Sequence, residues 1–353
     1  MGQSVILNIR NGIREMFTGY FALAMATGII SIATYLHGMH TIAVVLFWIN
    51  LVFFLVLLSF FLLRLILDPL RVKEDMANYQ KGPGFFTLVA AACVLGNQLI
   101  LLFQHQVWAE VLLVFATVAW AIIIYTFFTL LTTGKNKPNL HDGISGTWLI
   151  TIVSTQAIAI LTTLIASTKP AAAQQFMLFA SLALFLIGCM LYILIMCLIF
   201  YRLSFFELTP MEFGAPYWIN MGATAITTVA GALLIEHASK LTILTEILPF
   251  LKGFTLFFWS WGAWWIPLLI ILGTWRHLRV PLPTTPEGYH PSYWGMVFPL
   301  GMFSVCTFRL VEAIHVDFLM SLSSIFVYVA LVAWAAVIVG MVRSMVKNLS
   351  AKY

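Results

Sequence analysis

The sequence predicts an all-α integral membrane protein whose ten transmembrane helices pair as five helical hairpins in a ring around a central pore. Three observations support this fold class. The 353 residues are 62% hydrophobic and only 9% charged, whereas soluble domains are about 25% charged. Apolar stretches of about 20 residues, the length that crosses a bilayer, recur along the chain. The residues that open every second stretch also resemble one another.

Ten apolar stretches meet the length requirement, and links rich in charged residues, Gly and Pro separate them. Residues 1–353 are therefore expected to form a single transmembrane domain with lipid as its solvent. The predicted spans run near 17–37, 42–66, 84–104, 108–133, 145–167, 175–200, 216–236, 249–273, 292–312 and 319–345.

The basic residues are distributed as this span count requires. If the N-terminus is cytoplasmic, 14 of the 18 Lys and Arg residues lie in cytoplasmic segments. Lys169, Lys240 and Lys252 lie outside, and Arg309 lies near the outer end of the ninth span. Cytoplasmic segments of membrane proteins carry an excess of Lys and Arg. We therefore predict that both termini are cytoplasmic, and the first residues do not resemble a removable signal peptide.

The odd-numbered spans share an opening pattern of Gly or Pro, then an aromatic residue, then small residues and hydroxyls. The aromatic residues, spaced 62 to 76 positions apart, are Tyr20, Phe86, Trp148, Trp218 and Trp294. The even-numbered spans are bulky and continuous. Small residues let helices approach closely or line an aqueous path, so we predict an inner ring of odd helices surrounded by even helices that face lipid. The alternative is that the small residues serve only tight packing.

Residues that perform chemistry are scarce inside the predicted spans. All eight His residues lie near span ends or in loops, and no acidic residue lies clearly within a span. A haem-bearing membrane enzyme needs axial ligands inside the bundle, and a proton-coupled carrier usually has an embedded acid. We therefore predict no catalytic residue, no metal site and no cofactor. The net charge of +5 reflects membrane orientation, so no nucleic-acid partner is predicted.

The polar residues inside the odd spans are mostly hydroxyls and amides. Such groups solvate an ion without holding it tightly, and conduction requires that the ion leave. Helix N-termini exposed at Gly and Pro breaks attract anions. These features favour an uncharged anion path, and pairing of the same groups between helices is the alternative. Arg309, with Glu312 three residues later, predicts an interfacial ion pair; the alternative role is to gather anions at the outer mouth.

Three stretches resemble the tellurite-resistance/dicarboxylate transporter family: "FALAMATGIISIA", "WWIPLLIILGTWRH" and "YWGMVFPLGMFSVCTFRL". The family includes bacterial tellurite-resistance proteins, fungal malate permeases and sulfite exporters, and plant slow anion channels. The resemblance, over roughly 15–345, implies a quasi-fivefold arrangement of the hairpins, a homotrimer with one pore per protomer, and an aromatic ring from the ninth helix that plugs the pore. Phe298 matches that ring by position, and Phe303 and Phe308 lie on the same helix.

These observations predict an anion channel or channel-like transporter of the bacterial inner membrane that moves chloride, nitrate, sulfite or dicarboxylates. The alternatives are a coupled C4-dicarboxylate (malate) transporter or a sulfite or tellurite-related exporter of the same fold, and the membrane-anchor subunit of a redox enzyme. Phe298 is the predicted pore gate, and Arg309 is the predicted outer-mouth residue. The predicted pore-lining residues are Phe21, Thr27, Gly28, Phe86, Thr87, Trp148, Gln156, Asn220, Thr224 and Pro299.

Overall fold

The computed structural model describes residues 12–280 and 289–350, with side chains as far as residue 347. All regular elements in these residues are helical. Within the described ranges, nine helices are long and apolar enough to cross a membrane, and a further apolar helix, Ala22–Leu36, has 15 residues. The all-α membrane fold predicted from the sequence is thereby confirmed.

The apolar helices divide into a buried group and an exposed group. Four long helices have 78–94% of their most apolar window buried, whereas the other five have 22–44% buried. Ala22–Leu36 belongs with the buried group, because 13 of its residues are buried. We call the buried group the inner helices, first to fifth in chain order: Ala22–Leu36, Phe86–Phe103, Ile150–Ala166, Ile219–Glu236 and Trp294–Ile314. The outer helices, in the same order, are His40–Leu67, Gln106–Thr133, Ala171–Phe205, Leu248–Arg279 and Met320–Ser350.

The inner helices form a closed ring. Each contacts the next in chain order, and the fifth contacts the first. Each also packs against the outer helix that follows it, which makes five hairpins. Because every hairpin returns through an outer helix, the inner helices run parallel, and all their N-termini lie at one end of the ring. We call the two ends of the ring its N-terminal end and its C-terminal end.

Side-chain hydrogen bonds link each outer helix to the inner helix of the next hairpin. In all five links a side chain of the outer helix donates to a Thr, Asn or Gln side chain of the inner helix. The donor–acceptor pairs are Asn50–Gln98 (2.6 Å), Trp120–Thr155 (2.9 Å), Tyr192–Asn220 (2.7 Å), Trp259–Thr307 (3.0 Å) and Trp334–Thr27 (3.0 Å). Polar groups inside a bilayer need protein partners, and these links supply them while joining the hairpins.

Short 3₁₀ turns precede the second to fifth inner helices and correspond to the repeated opening pattern of the sequence. They are Gly82–Phe85, Gly146–Leu149, Ala215–Trp218 and Pro291–Tyr293. Three of the four have Pro in their first two positions, where the missing N–H costs no helical hydrogen bond.

The first inner helix starts later than the sequence predicted. The expected span was 17–37, but residues 18–21 form turns and the helix begins at Ala22. Thr18 accounts for part of this difference, because its hydroxyl donates to the carbonyl oxygen of Lys81 at 2.7 Å. That bond anchors the turn to the start of the second inner helix instead of to a helical carbonyl of its own segment.

Candidate functional site

A central cavity lies between the five inner helices, in their C-terminal halves. Its volume is about 30 Å³, which is room for roughly two or three water molecules. All five inner helices contribute to its wall. The lining residues are Ile29 and Ile32; Val94, Asn97 and Leu101; Ala157, Ile160 and Leu164; Ile226, Val229 and Leu233; and Met302, Val305 and Arg309.

The lining residues follow one spacing. On each of the second to fifth inner helices the second lining residue comes three positions after the first, and the third comes four positions later. Residues at these spacings lie on one helical face. The first lining residue is the eighth or ninth residue of its helix in all five cases. The inner helices therefore turn equivalent faces to the cavity at an equivalent depth.

Among the described lining residues, Asn97 and Arg309 are the two polar ones, and the others are apolar. Asn97 is 7% exposed, and its Oδ1 has no hydrogen-bond partner among the described residues. Buried polar atoms in native proteins normally have a partner. Oδ1 is an acceptor and is suited to a water molecule, whereas an anion would be contacted by the Nδ2 donors of the same amide. This amide is the one uncharged polar side chain among the described lining residues.

Arg309 lies at the C-terminal end of the cavity and forms the ion pair that the sequence predicted. Its Nη1 donates to Glu312 Oε2 at 2.9 Å and lies 4.0 Å from Glu236 Oε2. The Arg309 side chain is 16% exposed. Two carboxylates thus offset the positive charge of the one basic residue in the cavity wall, so this cavity is not a strong anion trap.

The residues one turn before the lining residues close the cavity toward the N-terminal end of the ring. They stand four positions before the first lining residue of each inner helix and so share its face. This layer, which we call the closing layer, consists of Met25, Ala90, Val153, Gly222 and Phe298, all of them buried. Phe298 has the only aromatic ring of the layer and is 2% exposed.

The other two phenylalanines of the fifth inner helix face away from the cavity. Phe303 stacks against Trp259 with ring centroids 6.2 Å apart and contacts Phe326 at 4.6 Å, and both partners belong to outer helices. Phe308 contacts the ring of His37 at 5.4 Å. Successive residues of a helix are rotated by about 100° around its axis. By this rotation Phe298, and neither of the other two phenylalanines, lies on the side of the helix that carries the lining residues Met302, Val305 and Arg309. The geometry therefore favours Phe298 among the three candidates.

Pro299 packs against the fourth inner helix and does not break its own helix, which runs unbroken over Trp294–Ile314. A Cβ atom placed on Gly222 would lie 2.9 Å from Pro299 Cγ. The absence of a side chain at Gly222 thus allows the proline ring to fit between the fourth and fifth inner helices. Since Gly222 also belongs to the closing layer, this contact holds the backbone beside Phe298.

Most of the polar residues predicted to line the pore are directed toward outer helices. Thr27 accepts from Trp334, and Asn220 accepts from Tyr192. Gln156 Nε2 donates to the carbonyl oxygen of Phe185 on the third outer helix at 3.1 Å. Their polar atoms serve hairpin packing, which is the alternative that the sequence left open.

Thr224 and Thr87 also use their hydroxyls locally. Thr224 donates to the carbonyl oxygen of Met221 at 2.8 Å and lies against Gly262 of the fourth outer helix. Thr87 donates to the carbonyl oxygen of Gly84 at 2.6 Å. Neither residue borders the central cavity.

The predicted aromatic lining residues likewise pack outward. Phe21 contacts Phe54 and Phe61 of the first outer helix, with ring centroids 6.0 and 6.1 Å apart. Phe86 contacts Phe127 of the second outer helix at 5.8 Å.

Neither Trp148 nor Gly28 is a lining residue of the central cavity. The Trp148 indole N–H is 3.0 Å from the carbonyl oxygens of Tyr79 and Gly143. Gly28 lies close to Val94: a Cβ atom placed on Gly28 would lie 2.5 Å from Cγ1 of Val94. Of the predicted site residues, Arg309 borders the cavity and Phe298 stands in the closing layer.

Two comparisons with known proteins bear on this arrangement. The sequence profile of the SLAC1 family, described as voltage-dependent anion channels, matches residues 16–342. The chain belongs to this family. The match covers all the inner helices, and with them every described lining residue of the central cavity. It also covers nearly all of the outer helices. The protein is therefore a multi-pass membrane transporter of the anion channel or permease kind.

Several curated relatives are similar to parts of the chain. An uncharacterized membrane protein of Mycobacterium tuberculosis strain H37Rv is 38% identical over 156 residues, which is 43% of this chain and 76% of that protein. Two uncharacterized transporters of Methanocaldococcus jannaschii are each 22% identical, one over 300 residues, or 84% of both chains, and the other over 296 residues, or 82% of both.

Proposed function

We propose that this family member conducts small anions down their gradient through the ring of inner helices, with Phe298 as the gate. The observation that supports the proposal is the equivalent register of the five inner helices around the central cavity. An aqueous path needs such a common face, and the closing layer contains one bulky ring at the point where the cavity ends. Hydrophobic constrictions of this kind gate by excluding water.

The electrostatics of the ring favour anions. The N-termini of all five parallel inner helices lie at one mouth, and each carries a partial positive charge of about half an elementary charge. The wall of the cavity is uncharged apart from Arg309, whose charge is offset by Glu236 and Glu312. An anion is thus attracted to the N-terminal mouth and meets no deep charge that would retain it.

Orientation and assembly belong to the same proposal. We assign the protein to a bacterial inner membrane, with the N-terminal end of the ring and both chain termini on the cytoplasmic side. The reason is that the basic residues concentrate in the segments at that end. We also propose a homotrimer with one pore in each protomer, as the family resemblance implies. Native mass spectrometry of the purified protein would overturn the trimer if it showed only monomer.

The test is an ion-flux panel on the purified protein in liposomes. Efflux driven by gradients of chloride, nitrate, sulfite or malate is followed in parallel, with protein-free liposomes as the control. We expect flux of at least one small anion and a reversal potential that follows the anion gradient. A reversal potential that follows the cation, or no flux of any of the four, would refute the proposed function.

A coupled dicarboxylate carrier is the second candidate, and one observation favours it. Arg309 is a basic residue in the cavity wall, and a doubly charged substrate requires such a group. The carrier differs from the channel in its energetics, because its malate flux would stop when a proton or counter-ion gradient is collapsed. Passive flux that continues after the collapse would exclude coupling.

A further inference from the structure

A second cavity lies at the N-terminal end of the ring and is separate from the central cavity. Its volume is about 370 Å³, and it shares no lining residue with the central cavity. Its walls come from the segment before the first inner helix, the first outer helix, the short helix Pro69–Ala77, and the residues just before the second and fifth inner helices. The lining residues are Arg14, Glu15, Met16, Phe17, Thr18, Arg64, Arg71, Asp75, Lys81 and His290.

The described residues that line this N-terminal cavity carry an excess of positive charge, with four cations and two carboxylates. The carboxylate of Asp75 is shared, because it bonds both Arg64 Nη2 and Lys81 Nζ, the latter at 2.9 Å. One carboxylate thus faces two cations. Arg71 adds a further positive charge and forms no ion pair among the described residues. Arg14 is paired separately, with Asp68 outside the cavity wall.

Arg64, in the wall of this cavity, has an unsatisfied donor. Its side chain is 2% exposed, and its Nε has no hydrogen-bond partner among the described residues. Buried charged donors are normally paired in folded proteins. Arg64 is thus paired through Nη2, and its guanidinium keeps one N–H that no described residue satisfies.

We propose that the N-terminal cavity binds an oxyanion of the phosphate class. A guanidinium presents its N–H groups in a planar fork that matches the oxygens of a phosphate, and the cavity wall contains three guanidinium groups and an ammonium group. The cavity is larger than a single phosphate ion, so it has room for a hydrated phosphate or for the phosphate of a larger molecule. Free phosphate and a phospholipid headgroup offer the same chemistry, and the experiment distinguishes them.

The first arm uses inorganic phosphate. The full-length protein is purified in neutral detergent without phosphate, and binding is measured by calorimetry and by the thermal unfolding midpoint. Sodium chloride at equal ionic strength is the control for screening. We expect phosphate, and not chloride, to raise the unfolding midpoint and to bind with measurable heat.

The variant for this arm is Arg71→Gln. Arg71 is exposed and leaves the Arg64–Asp75–Lys81 pairs intact, so the variant is expected to fold. Losing one charged donor should weaken phosphate binding about tenfold. Lys73→Gln is the matched control, because it removes the same charge from the same short helix but lies in the wall of a different, apolar groove. Lys81→Gln is a second test, expected to weaken binding as Arg71→Gln does.

The second arm uses lipid. The protein is placed in nanodiscs of phosphatidylcholine alone or with added phosphatidic acid, and the unfolding midpoint is compared for wild type, Arg71→Gln and Lys73→Gln. A phosphatidic acid effect that Arg71→Gln removes and Lys73→Gln keeps supports the site with lipid as the source. The same pattern in the first arm alone supports free phosphate. The proposal is overturned if neither probe has an effect, or if Arg71→Gln and Lys73→Gln behave alike in both arms.

Discussion

The indole Nε1 of Trp334 donates a hydrogen bond to the hydroxyl of Thr27 over 3.0 Å. Thr27 lies on the first inner helix and Trp334 on the last outer helix, 307 residues apart in sequence. The hydroxyl also donates to the carbonyl oxygen of Leu23 at 2.9 Å. This bond is the last of the five links between consecutive hairpins, and it joins the fifth hairpin to the first. The ring is therefore closed by a specific polar contact as well as by apolar packing.

We expect Trp334→Phe to destabilise the protein slightly. The substitution keeps most of the ring but removes the donor, and interhelical hydrogen bonds in membranes contribute about 0.6 kcal/mol on average. The unfolding midpoint in detergent should fall by a small, reproducible amount. Trp48→Phe is the control, because Trp48 is 57% exposed on the first outer helix and makes no hydrogen bond among the described residues. Equal losses in the two variants would show that the Thr27 link contributes nothing.

Phe298→Ala should raise anion conductance. Removing the ring of the closing layer opens the narrowest section to water, and a hydrophobic constriction that admits water conducts. We expect a clear increase over wild type, as hydrophobic gating predicts, in planar bilayers or proteoliposome flux. Phe298 takes part in none of the five hairpin links, so the ring of helices should persist.

The control for this prediction is Phe303→Ala. It removes the same ring from the same helix, but Phe303 packs between Trp259 and Phe326. It should cost about 3–5 kcal/mol of stability, as large core truncations do, without raising conductance. Currents from Phe298→Ala no larger than those of wild type, or equal increases in both variants, would reject Phe298 as the gate.

Arg309→Gln and Glu312→Gln should change anion entry from the C-terminal mouth in opposite directions. Loss of the Arg309 charge leaves Glu236 and Glu312 uncompensated, so the mouth repels anions and the flux into it falls. Loss of Glu312 makes the mouth more positive, so the same flux rises. Both effects should shrink in about 1 M salt, where the screening length is about 3 Å. Changes of the same sign in the two variants would contradict an electrostatic role.

Gly222→Ala should perturb both stability and conduction. The new Cβ would lie 2.9 Å from Pro299 Cγ, which is too close, so the fourth and fifth inner helices must separate. Overpacking of this kind costs about 1–3 kcal/mol, and the shift displaces the backbone next to Phe298. Gly253→Ala is the control, since nothing lies within 4 Å of the corresponding Cβ position. Its unfolding midpoint and conductance should match wild type; if Gly222→Ala matches as well, the contact has no role in gating.

Asn97→Leu should lower conductance and leave the fold intact. The substitution removes the only uncharged polar side chain among the described lining residues. An anion that has shed part of its water then lacks the Nδ2 donors of the amide. Single-channel or flux measurements should show a reduction, and Asn97→Gln, which keeps an amide, should restore most of the wild-type rate. No difference between the Leu and Gln variants would exclude a contact between this amide and the ion.

The class of fold could be predicted from the sequence because the properties that define it are local. A span of about 20 apolar residues is recognisable without knowing its neighbours, and the repeated Gly or Pro openings mark the starts of the inner helices. The same applies to the Arg309–Glu312 pair, whose members lie three positions apart on one helix. Phe298 was identified by resemblance to the family. Its place on the cavity-facing side of the helix could be assigned only after the structure had shown which residues line the cavity.

The pore lining could not be predicted in the same way. The sequence argument selected hydroxyls and amides such as Thr27, Gln156 and Asn220, since polar groups are expected in an ion path. In the structure these groups pair with outer helices, because a polar atom in a bilayer is stabilised most by a protein partner. The wall of the cavity is mostly Ile, Val and Leu. The common three-and-four spacing of these residues was present in the sequence but could not be told from ordinary helical packing.

By itself the sequence determined that this chain is a helical membrane protein built from repeated hairpins, because hydrophobic length and charge placement act along the chain. Only the tertiary structure decided which helical faces meet, because that depends on contacts between distant residues. The Trp334–Thr27 bond, the closing layer around Phe298 and the assembly of Arg64, Arg71 and Lys81 beside His290 all depend on ring closure. In a bilayer the hydrophobic effect gives helices no preferred partner, so close packing and the few polar links select the arrangement.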